Sequence, residues 1–244
     1  MPYFFVDKSS IASDTLYIEG DDARHISRSL RMAVGDGLSV SDGEGRVYSC
    51  ELTKIRDERC EARILDSALS EAESPVSITL YMAYPKSDKL EAIIQKSCEL
   101  GAMKIVPFES SRCIKRPSED KAEKRLLRFN RIAKEACGQC GRGSLATVGG
   151  TLSFREVISE CKEYDLALFC YEGDGTVPLP RLLSAAGNVK SIAVVVGSEG
   201  GFSPEEAAEA KNAGLSMTGL GKRILRCETA PSFVLSAISY AFEL

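Results

Sequence analysis

The chain has 244 residues, of which 44% are hydrophobic, and a formal net charge of −4. This length allows one large domain or two smaller ones, and the composition is that of a globular protein with an ordinary core. The negative charge argues against a simple basic nucleic-acid binder, and no apolar run reaches the ~20 residues of a transmembrane helix.

The N-terminus and the cysteines both indicate an intracellular setting. The first ten residues lack the basic start and apolar centre of a signal peptide, so we expect a cytoplasmic protein. Nine scattered cysteines then indicate buried thiols. The close pair Cys137 and Cys140 is either a redox pair or, as we favour, two thiols packed near a helix end. With His25 as the single histidine, which we take as structural, we expect no metal site.

The first seventy residues contain short β-rich stretches separated by glycine turns, which predict a small β-barrel. One helix is predicted at Asp22–Leu30, and residues 71–75 form a plausible linker. The predicted strands are Leu16–Ile18, Leu38–Ser41, Val47–Leu52 and Cys60–Leu65.

From Ile78 onward, predicted strands alternate with predicted helices, which indicates an α/β domain with a mostly parallel sheet. Capping boxes are predicted for Asp88 with Glu91 and for Ser203 with Glu206. The predicted strands are Ile78–Tyr84, Lys104–Phe108, Leu166–Tyr171, Ile192–Val196 and Leu215–Leu220. The predicted helices cover residues 88–100, 120–137, 154–163, 203–213 and 231–242.

Two glycine-containing loops, Gly197–Gly201 and Gly221–Thr229, each follow a predicted strand. Ligands of parallel sheets bind at such carboxyl ends. The first loop carries neither GxGxxG nor GK[ST], so dinucleotide and P-loop interpretations lose support; a tight turn without a ligand is the alternative.

The second loop exceeds the ~2–6 residues of ordinary connections. Its apolar pair Ile224 and Leu225 predicts that it packs inward. A loop whose charges simply face water is the alternative.

Basic residues cluster between Arg112 and Lys134, with nine basic and three acidic side chains. On the predicted helix at 120–137, Lys121, Lys124, Arg125, Arg128 and Arg131 form one stripe beside an apolar arc. Such a stripe could bind phosphates, and a solvated helix face is the alternative. A second basic group lies in the N-terminal domain, at Arg24, Arg28 and Arg31.

Several separated motifs resemble the RsmE family, the bacterial 16S rRNA (uracil-N3)-methyltransferases of the SPOUT superfamily. The strongest are GSEGGFSPEE (197–206) and LGKRILRCETA (220–230). The resemblance runs nearly end to end, and two residues depart from the family pattern: Ser198 replaces a usual proline and Cys227 a usual threonine. The other matches are KSDK (86–89), QKSCELG (95–101), SRC (111–113), Glu135 with Ala136, QCGR (139–142) and RSLRM (28–32).

The resemblance implies a PUA-like β-barrel at 1–72 and a SPOUT α/β trefoil-knot domain at 73–244. It also implies a homodimer that uses S-adenosylmethionine to methylate N3 of a uridine in 16S rRNA. Two alternatives stay open: a SPOUT methyltransferase acting on a ribose 2′-hydroxyl or on tRNA, and a non-catalytic rRNA-binding assembly factor.

Site residues follow from the motifs and the basic stripe. Arg226 is the first candidate for stabilising the uracil anion and Arg142 the second, while Glu228 would accept the N3 proton or orient Arg226. The cofactor-binding candidates are Gly197, Glu199, Gly200, Gly201, Leu220, Gly221, Leu225, Thr229 and Ala230. The RNA-binding candidates are Arg24, Arg28, Arg31, Arg112, Lys124 and Arg128.

Overall fold

The computed structural model describes residues 1–86, 89–114 and 119–244. The chain forms two compact units. Unit 1 comprises Met1–Glu73 and Cys137–Leu145, and unit 2 comprises Ser74–Ala136 and Ala146–Leu244. The short second segment of unit 1 lies outside the predicted N-terminal domain, whose boundaries stay a prediction.

Unit 1 is built on a six-stranded sheet in the order β1-β4-β5-β6-β3-β2. β1 pairs with β4 in parallel, and the other pairs are antiparallel. Two of these strands, β1 and β2, were not predicted, because two or three residues carry no readable alternation. The strands are β1 Tyr3–Phe5, β2 Ile11–Ala12, β3 Thr15–Glu19, β4 Gly37–Ser41, β5 Arg46–Lys54 and β6 Arg59–Leu69.

Alternating apolar side chains of these strands form the core of unit 1. Leu16 and Ile18 of β3 and Leu38 and Val40 of β4 are fully or almost fully buried, as the period of two requires. The predicted helix at 22–30 starts two residues early as α1, Gly20–Arg24, and continues as a π-helical turn, His25–Ser29. Its buried residues Ala23 and Ile26 complete the core.

Unit 2 contains a sheet in the order β10-β8-β7-β13-β11-β14-β12, with β9 also on β8. Every pair is parallel, which confirms the predicted α/β architecture. The central strand β13 is buried from its second residue to its last, as its continuous apolar sequence predicts. The strands are β7 Ser77–Ala83, β8 Ala102–Glu109, β9 Thr147–Val148, β10 Leu152–Ser153, β11 Leu166–Cys170, β12 Val177–Pro178, β13 Ser191–Val196 and β14 Ser216–Gly219.

The helices agree with the predicted ones except for the seven-residue helix α5, which was not predicted. The Ser203–Glu206 capping box is present at α6, whereas Asp88 of the other predicted box lies outside the described residues. The helices are α2 Lys89–Glu99, α3 Ala122–Cys140, α4 Phe154–Glu160, α5 Leu179–Ala185, α6 Pro204–Asn212 and α7 Thr229–Phe242.

All nine cysteines lie in the described residues, and none of them forms a disulfide there. Cys137 and Cys140 share the last turn of α3, where the Cys140 thiol donates to the Cys137 carbonyl at 3.6 Å. Among the helices of the described ranges, none is both long and apolar enough to span a bilayer.

Candidate active site

Three loops of unit 2 follow three neighbouring parallel strands, β13, β11 and β14. They are the glycine loop (197–203), the acidic loop (171–176) and the long loop (220–228). Because parallel strands end at the same edge of a sheet, these loops converge there. Together with Lys89 of α2 they line a cavity of about 470 Å³.

The glycine loop closes on itself so tightly that it has no room for a side chain at Gly197. A Cβ on Gly197 would lie 3.1 Å from the backbone carbonyl carbon of Gly201. The Gly201 N–H donates to the Ser198 carbonyl at 2.9 Å, and Gly201 has a φ of +62° that favours glycine. Phe202 anchors the loop, since its ring centroid lies 4.2 Å from that of Phe169 in β11. The loop therefore presents backbone groups to the cavity from a fixed position.

The long loop packs inward only in part. Cys227 is buried and Leu225 is half-buried against the cavity, but Ile224 is 85% exposed. The prediction that both apolar residues pack inward is wrong for Ile224, because adjacent side chains of a non-helical segment point in different directions. The loop ends where the Arg226 carbonyl accepts from the N–H groups of Thr229 and Ala230 at 2.9 and 3.0 Å.

A charged cluster connects the glycine loop with the long loop. The ammonium group of Lys89 lies 3.0 Å from a carboxylate oxygen of Glu199 and 3.0 Å from one of Glu228. The Cys227 thiol donates to Glu228 at 3.2 Å, and the Lys86 N–H donates to both carboxylate oxygens of Glu199 at 3.1 Å. These contacts define the Lys89 cluster: Lys89, Glu199, Cys227 and Glu228.

The surroundings of each member fix its protonation at neutral pH. Hydrogen bonds from its own N–H, the Cys227 thiol and Lys89 lower the pKa of Glu228 to about 2. Burial, followed by the bond to Glu228, raises the pKa of Cys227 to about 12.

The other two members are charged as well. Burial acts to raise the pKa of Glu199, but hydrogen bonds from its own N–H, the Lys86 N–H and Lys89 outweigh it and hold that pKa low. Glu228 and Glu199 raise the pKa of Lys89. The cluster thus holds one cation, two carboxylates and a protonated thiol.

Most of the predicted pocket residues meet at this cavity. Arg226 lines it with an exposed side chain, whereas Glu228, Gly200 and Thr229 are not part of the lining. The Gly200 carbonyl accepts from the guanidinium of Arg112 at 3.0 Å, which braces the glycine loop from outside. The cofactor candidates that line the cavity are Gly197, Glu199, Gly201, Leu220, Gly221, Leu225 and Ala230.

Arg142 has a different environment, in unit 1. Its side chain is 3% exposed and its guanidinium lies 2.9 Å from the Glu73 carboxylate. Its carbonyl accepts from the Tyr3 hydroxyl at 2.8 Å. These contacts tie Arg142 to Glu73 and Tyr3 within unit 1.

Sequence reasoning assigned no role to Lys89 or to the acidic loop. Lys89 stood in the quoted KSDK motif, which was used only as a family marker. Glu172 and Thr176 line the cavity because they follow β11, and the predicted end of that strand was the available signal. A Cβ on Gly201 would lie 3.0 Å from the Glu172 carboxylate, so the acidic and glycine loops are in close contact.

The predicted RNA-binding residues differ in how they are engaged. Arg24 pairs with Asp21, Arg28 with Asp57, and Arg128 with Glu91 at 2.8 Å. Lys124 and Arg31 are exposed, and Arg31 has a φ of +52°, which is unusual for a non-glycine residue. On α3, Phe129, Ala133 and Ala136 of the predicted apolar arc are buried. The basic stripe therefore lies on the outer side of this helix.

No group of three or more metal-ligating side chains occurs within residues 1–86, 89–114 and 119–244.

Comparison with known proteins covers both units. The profile of an RNA methyltransferase domain matches residues 72–239, and that of an RNA methyltransferase PUA domain matches residues 18–65.

Among curated proteins, the chain is 33% identical to ribosomal RNA small subunit methyltransferase E of Bacillus subtilis over 234 residues, 94% of this chain and 91% of that protein. It is 31% identical to the same-named protein of Synechocystis, over 98% of this chain and 77% of that protein. A crystal structure of the Neisseria gonorrhoeae enzyme of that name, bound to S-adenosyl methionine, matches with a TM-score of 0.85 and 30% identity, covering 99% of this chain and 98% of that one.

Proposed function

Because the chain belongs to the ribosomal RNA small subunit methyltransferase E family, we propose that it transfers a methyl group from S-adenosylmethionine to N3 of a uridine in 16S rRNA. The observation that carries this proposal is the cavity between the glycine loop and the long loop, with Arg226 in its wall. We propose that the protein works as a cytoplasmic homodimer and needs no metal.

The cavity suits the cofactor in size and chemistry. Its volume of about 470 Å³ falls within the roughly 300–1,000 Å³ of small-molecule sites. The Ser198 hydroxyl lines it and is buried without a hydrogen-bond partner in the described structure, so it is available to a ligand. The carboxylate of Glu172 in the lining favours a ligand with a positive centre beside it. When bound, the cofactor supplies an electrophilic methyl group on a sulfonium.

Backbone groups of the two loops are the proposed cofactor contacts. Gly197, Gly201, Leu220, Gly221 and Leu225 would hold the adenine and ribose. Ala230 lines the cavity near the start of α7, and Gly200 and Thr229 are sequence neighbours of lining residues. Glu199 is already bound to Lys86 and Lys89, so its part is to fix the glycine loop.

The chemistry requires N3 of the uracil to lose its proton. The N3 lone pair then forms a bond to the methyl carbon while the carbon–sulfur bond breaks, and the electron pair of that bond returns to sulfur as a neutral thioether. Negative charge develops on the uracil oxygens as the proton leaves to solvent. Arg226 lines the cavity with an always-charged, exposed side chain and is the residue that we assign to stabilise this charge.

Glu228 is better suited to positioning than to proton transfer. A carboxylate with a pKa of about 2 is a weak base at neutral pH. Its contacts are to Lys89 and Cys227, and within the described residues no ion pair connects it to Arg226. Arg142 is already paired with Glu73, so Arg226 is the arginine that carries the proposal.

Exposed basic side chains in each unit are the proposed RNA contacts. Arg31 in unit 1 and Lys124 on α3 are the strongest candidates because no intramolecular carboxylate pairs with them in the described structure. Arg24, Arg28, Arg112 and Arg128 would contribute if RNA phosphates replace or share their present partners.

Arg226→Ala tests the assignment, with Arg181→Ala on the exposed surface of α5 as the control. We expect methyl transfer to small ribosomal subunits to fall about 10²–10³-fold, since this is the cost of removing one oxyanion donor. Binding of S-adenosylhomocysteine, measured by calorimetry, should change little. Normal turnover in Arg226→Ala would remove this residue from the mechanism.

Mapping the methylated nucleotide tests the substrate. Methyl at N3 of a 16S uridine supports the proposal, whereas methyl on a ribose 2′-hydroxyl or on tRNA contradicts it. Absence of both cofactor binding and transfer would support a non-catalytic rRNA-binding factor.

A further inference from the structure

Lys89 is the first residue of α2 and the point where three separate parts of unit 2 meet. Its ammonium group contacts Glu199 of the glycine loop and Glu228 of the long loop at the same distance, 3.0 Å. The two loops follow β13 and β14, which are not neighbours in the sheet, since β11 lies between them. The two strands are thus connected only through β11, and no direct pairing joins them.

The electrostatics of the cluster depend on this one cation. Glu199 and Glu228 are both charged at neutral pH, and each side chain is only 25–31% exposed. Two carboxylates around a single ammonium repel each other once the ammonium is removed, and partial burial weakens the screening by water. The loops would then separate or take up water between them.

The chain offers no equal replacement in the described structure. The Lys86 N–H also binds Glu199, but it does not reach Glu228, whose other side-chain partner is the neutral Cys227 thiol. The Cys227 thiol interacts with both carboxylates as well, but it is neutral. Lys89 is thus the positive charge that contacts both carboxylates, and it also lines the cavity.

We propose that Lys89 is a positioning residue of the methyl-transfer site, which ties the glycine loop to the long loop and sets the width of the cavity between them. Its relevance to methyl transfer rests on the proposed function, whereas the tie between the loops does not. Arg226 lies two positions before Glu228 in the long loop. By holding Glu228, Lys89 also fixes the segment that carries Arg226.

The tie has a pH signature that a merely structural lysine would lack. The groups that contact Glu228 are Lys89 from α2 and the Cys227 thiol and backbone N–H of its own loop, and Glu199 from the glycine loop contacts the same ammonium and the same thiol. Without Lys89 the remaining charged neighbour is a like charge, which raises the pKa of Glu228. The acid limb of the pH–rate profile should therefore move to higher pH.

The experiment compares Lys89→Met with Lys89→Arg, using Lys96→Met on the exposed surface of α2 as the matched control. Amide hydrogen exchange of the protein without ligand reports the tie directly. We expect faster exchange in both loops for Lys89→Met, wild-type exchange for Lys96→Met, and restoration of most protection by Lys89→Arg, which keeps the charge.

Binding and turnover report the consequence. Calorimetry with S-adenosylhomocysteine should show about tenfold weaker binding for Lys89→Met. A change of this size is typical when a contact outside the ligand is energetically coupled to the ligand site. The double variant Lys89→Met/Glu228→Gln should lose less than the two single variants combined, because it removes the repulsion.

Unchanged exchange in both loops of Lys89→Met would overturn the proposal, as would additive losses in the double variant. If Lys89→Met does not fold, Glu228→Gln alone must speed exchange in the long loop more than in the glycine loop. Wild-type protein that neither binds S-adenosylhomocysteine nor transfers methyl would refute the proposed function, while the exchange data would still decide on the tie.

Discussion

At the scale of single residues, Cys227 shows how a departure from the family pattern can keep the chemistry. The resemblance gives threonine as the usual residue, whose hydroxyl is a donor. The Cys227 thiol also donates to Glu228, at 3.2 Å, and its pKa of about 12 keeps the proton on sulfur at neutral pH. The substitution thus retains a hydrogen-bond donor to the same carboxylate, although a weaker one.

The low pKa of Glu228 predicts a specific dependence of stability on pH. An unfolded glutamate has a pKa of about 4.3, and the folded value is about 2. A carboxyl whose pKa is lower when folded stabilises the folded state above about pH 4.3, and this contribution is lost as the pH falls toward 2.

Glu228→Gln should therefore unfold at a lower temperature than wild type at pH 7, and this gap should close between about pH 4 and pH 2. The loss at pH 7 should be on the order of 1 kcal/mol, since solvent screens a side chain that is nearly one third exposed. Thermal unfolding at several pH values measures it. Glu123→Gln, exposed on α3, should match wild type throughout, and a gap that widens in acid would contradict the prediction.

At the scale of elements, the parallel sheet explains why distant segments share one cavity. The glycine, acidic and long loops each follow a strand that ends at the same edge. Phe202 then fixes the glycine loop against Phe169, and α6 starts directly after it. Helix starts and strand ends thus place the site, and the loops supply its chemistry.

The start of α6 makes a measurable contribution to stability. The Ser203 hydroxyl accepts from the Glu206 N–H at 3.2 Å, and Glu206 accepts from the N–H groups of Ser203 and Ser111 at 2.9 and 2.7 Å. Ser203→Ala should cost about 1 kcal/mol, the usual value of a lost N-cap. Urea unfolding measures the loss, Lys211→Ala at the other end of α6 is the control, and equal stability of both variants would refute the capping argument.

The exposed part of α3 makes a prediction about RNA. Lys124→Glu should weaken binding to 16S rRNA, since a phosphate contact is replaced by repulsion. The slope of the logarithm of the binding constant against the logarithm of the salt concentration should also become shallower, by the equivalent of about one to two released counterions. Filter binding over a salt series measures the slope. Lys211→Glu, which makes the same charge change on α6, should leave it nearly unchanged; an unaltered slope in Lys124→Glu would leave α3 as a solvated surface.

At the scale of the whole molecule, the comparisons confirm the predicted fold class, a SPOUT-type α/β domain preceded by a PUA-like β-domain. Unit 1 also includes residues 137–145, from the middle of the chain. There the Glu73 carboxylate accepts from Arg142 and from the Ser144 N–H, both at 2.9 Å. A Cβ on Gly143 would lie 2.5 Å from Ser70, so glycine is what allows this close approach.

The proposed homodimer is testable by mass. Light scattering should give twice the 26.4 kDa of one chain. The exposed aromatic residues of α7, Phe233 at 42% and Tyr240 at 77%, would then be covered in the dimer. A mass of one chain at micromolar concentration would contradict the dimer.

Much of the fold was readable because its signals are local. The periods of two and 3.6, the glycine turns and the Ser203 cap each act within a few residues, and they gave the long strands and most of the helices. The helix α5 was missed as well, and the missed strands β1, β2, β9, β10 and β12 are too short to show a period. For the same reason Ile224 was misjudged, since a loop has no period from which to read its exposed side.

The sequence by itself determined the alternation of strands and helices, the two loops at the sheet edge and, through its motifs, the family. Only the tertiary structure decided which charged groups meet. Lys89 lies more than a hundred residues before both Glu199 and Glu228, and Glu73 lies nearly seventy residues before Arg142. No local sequence pattern predicts either set of contacts. Long-range contacts depend on the strand order and on the burial that lowers the local dielectric, and both exist only in the folded chain.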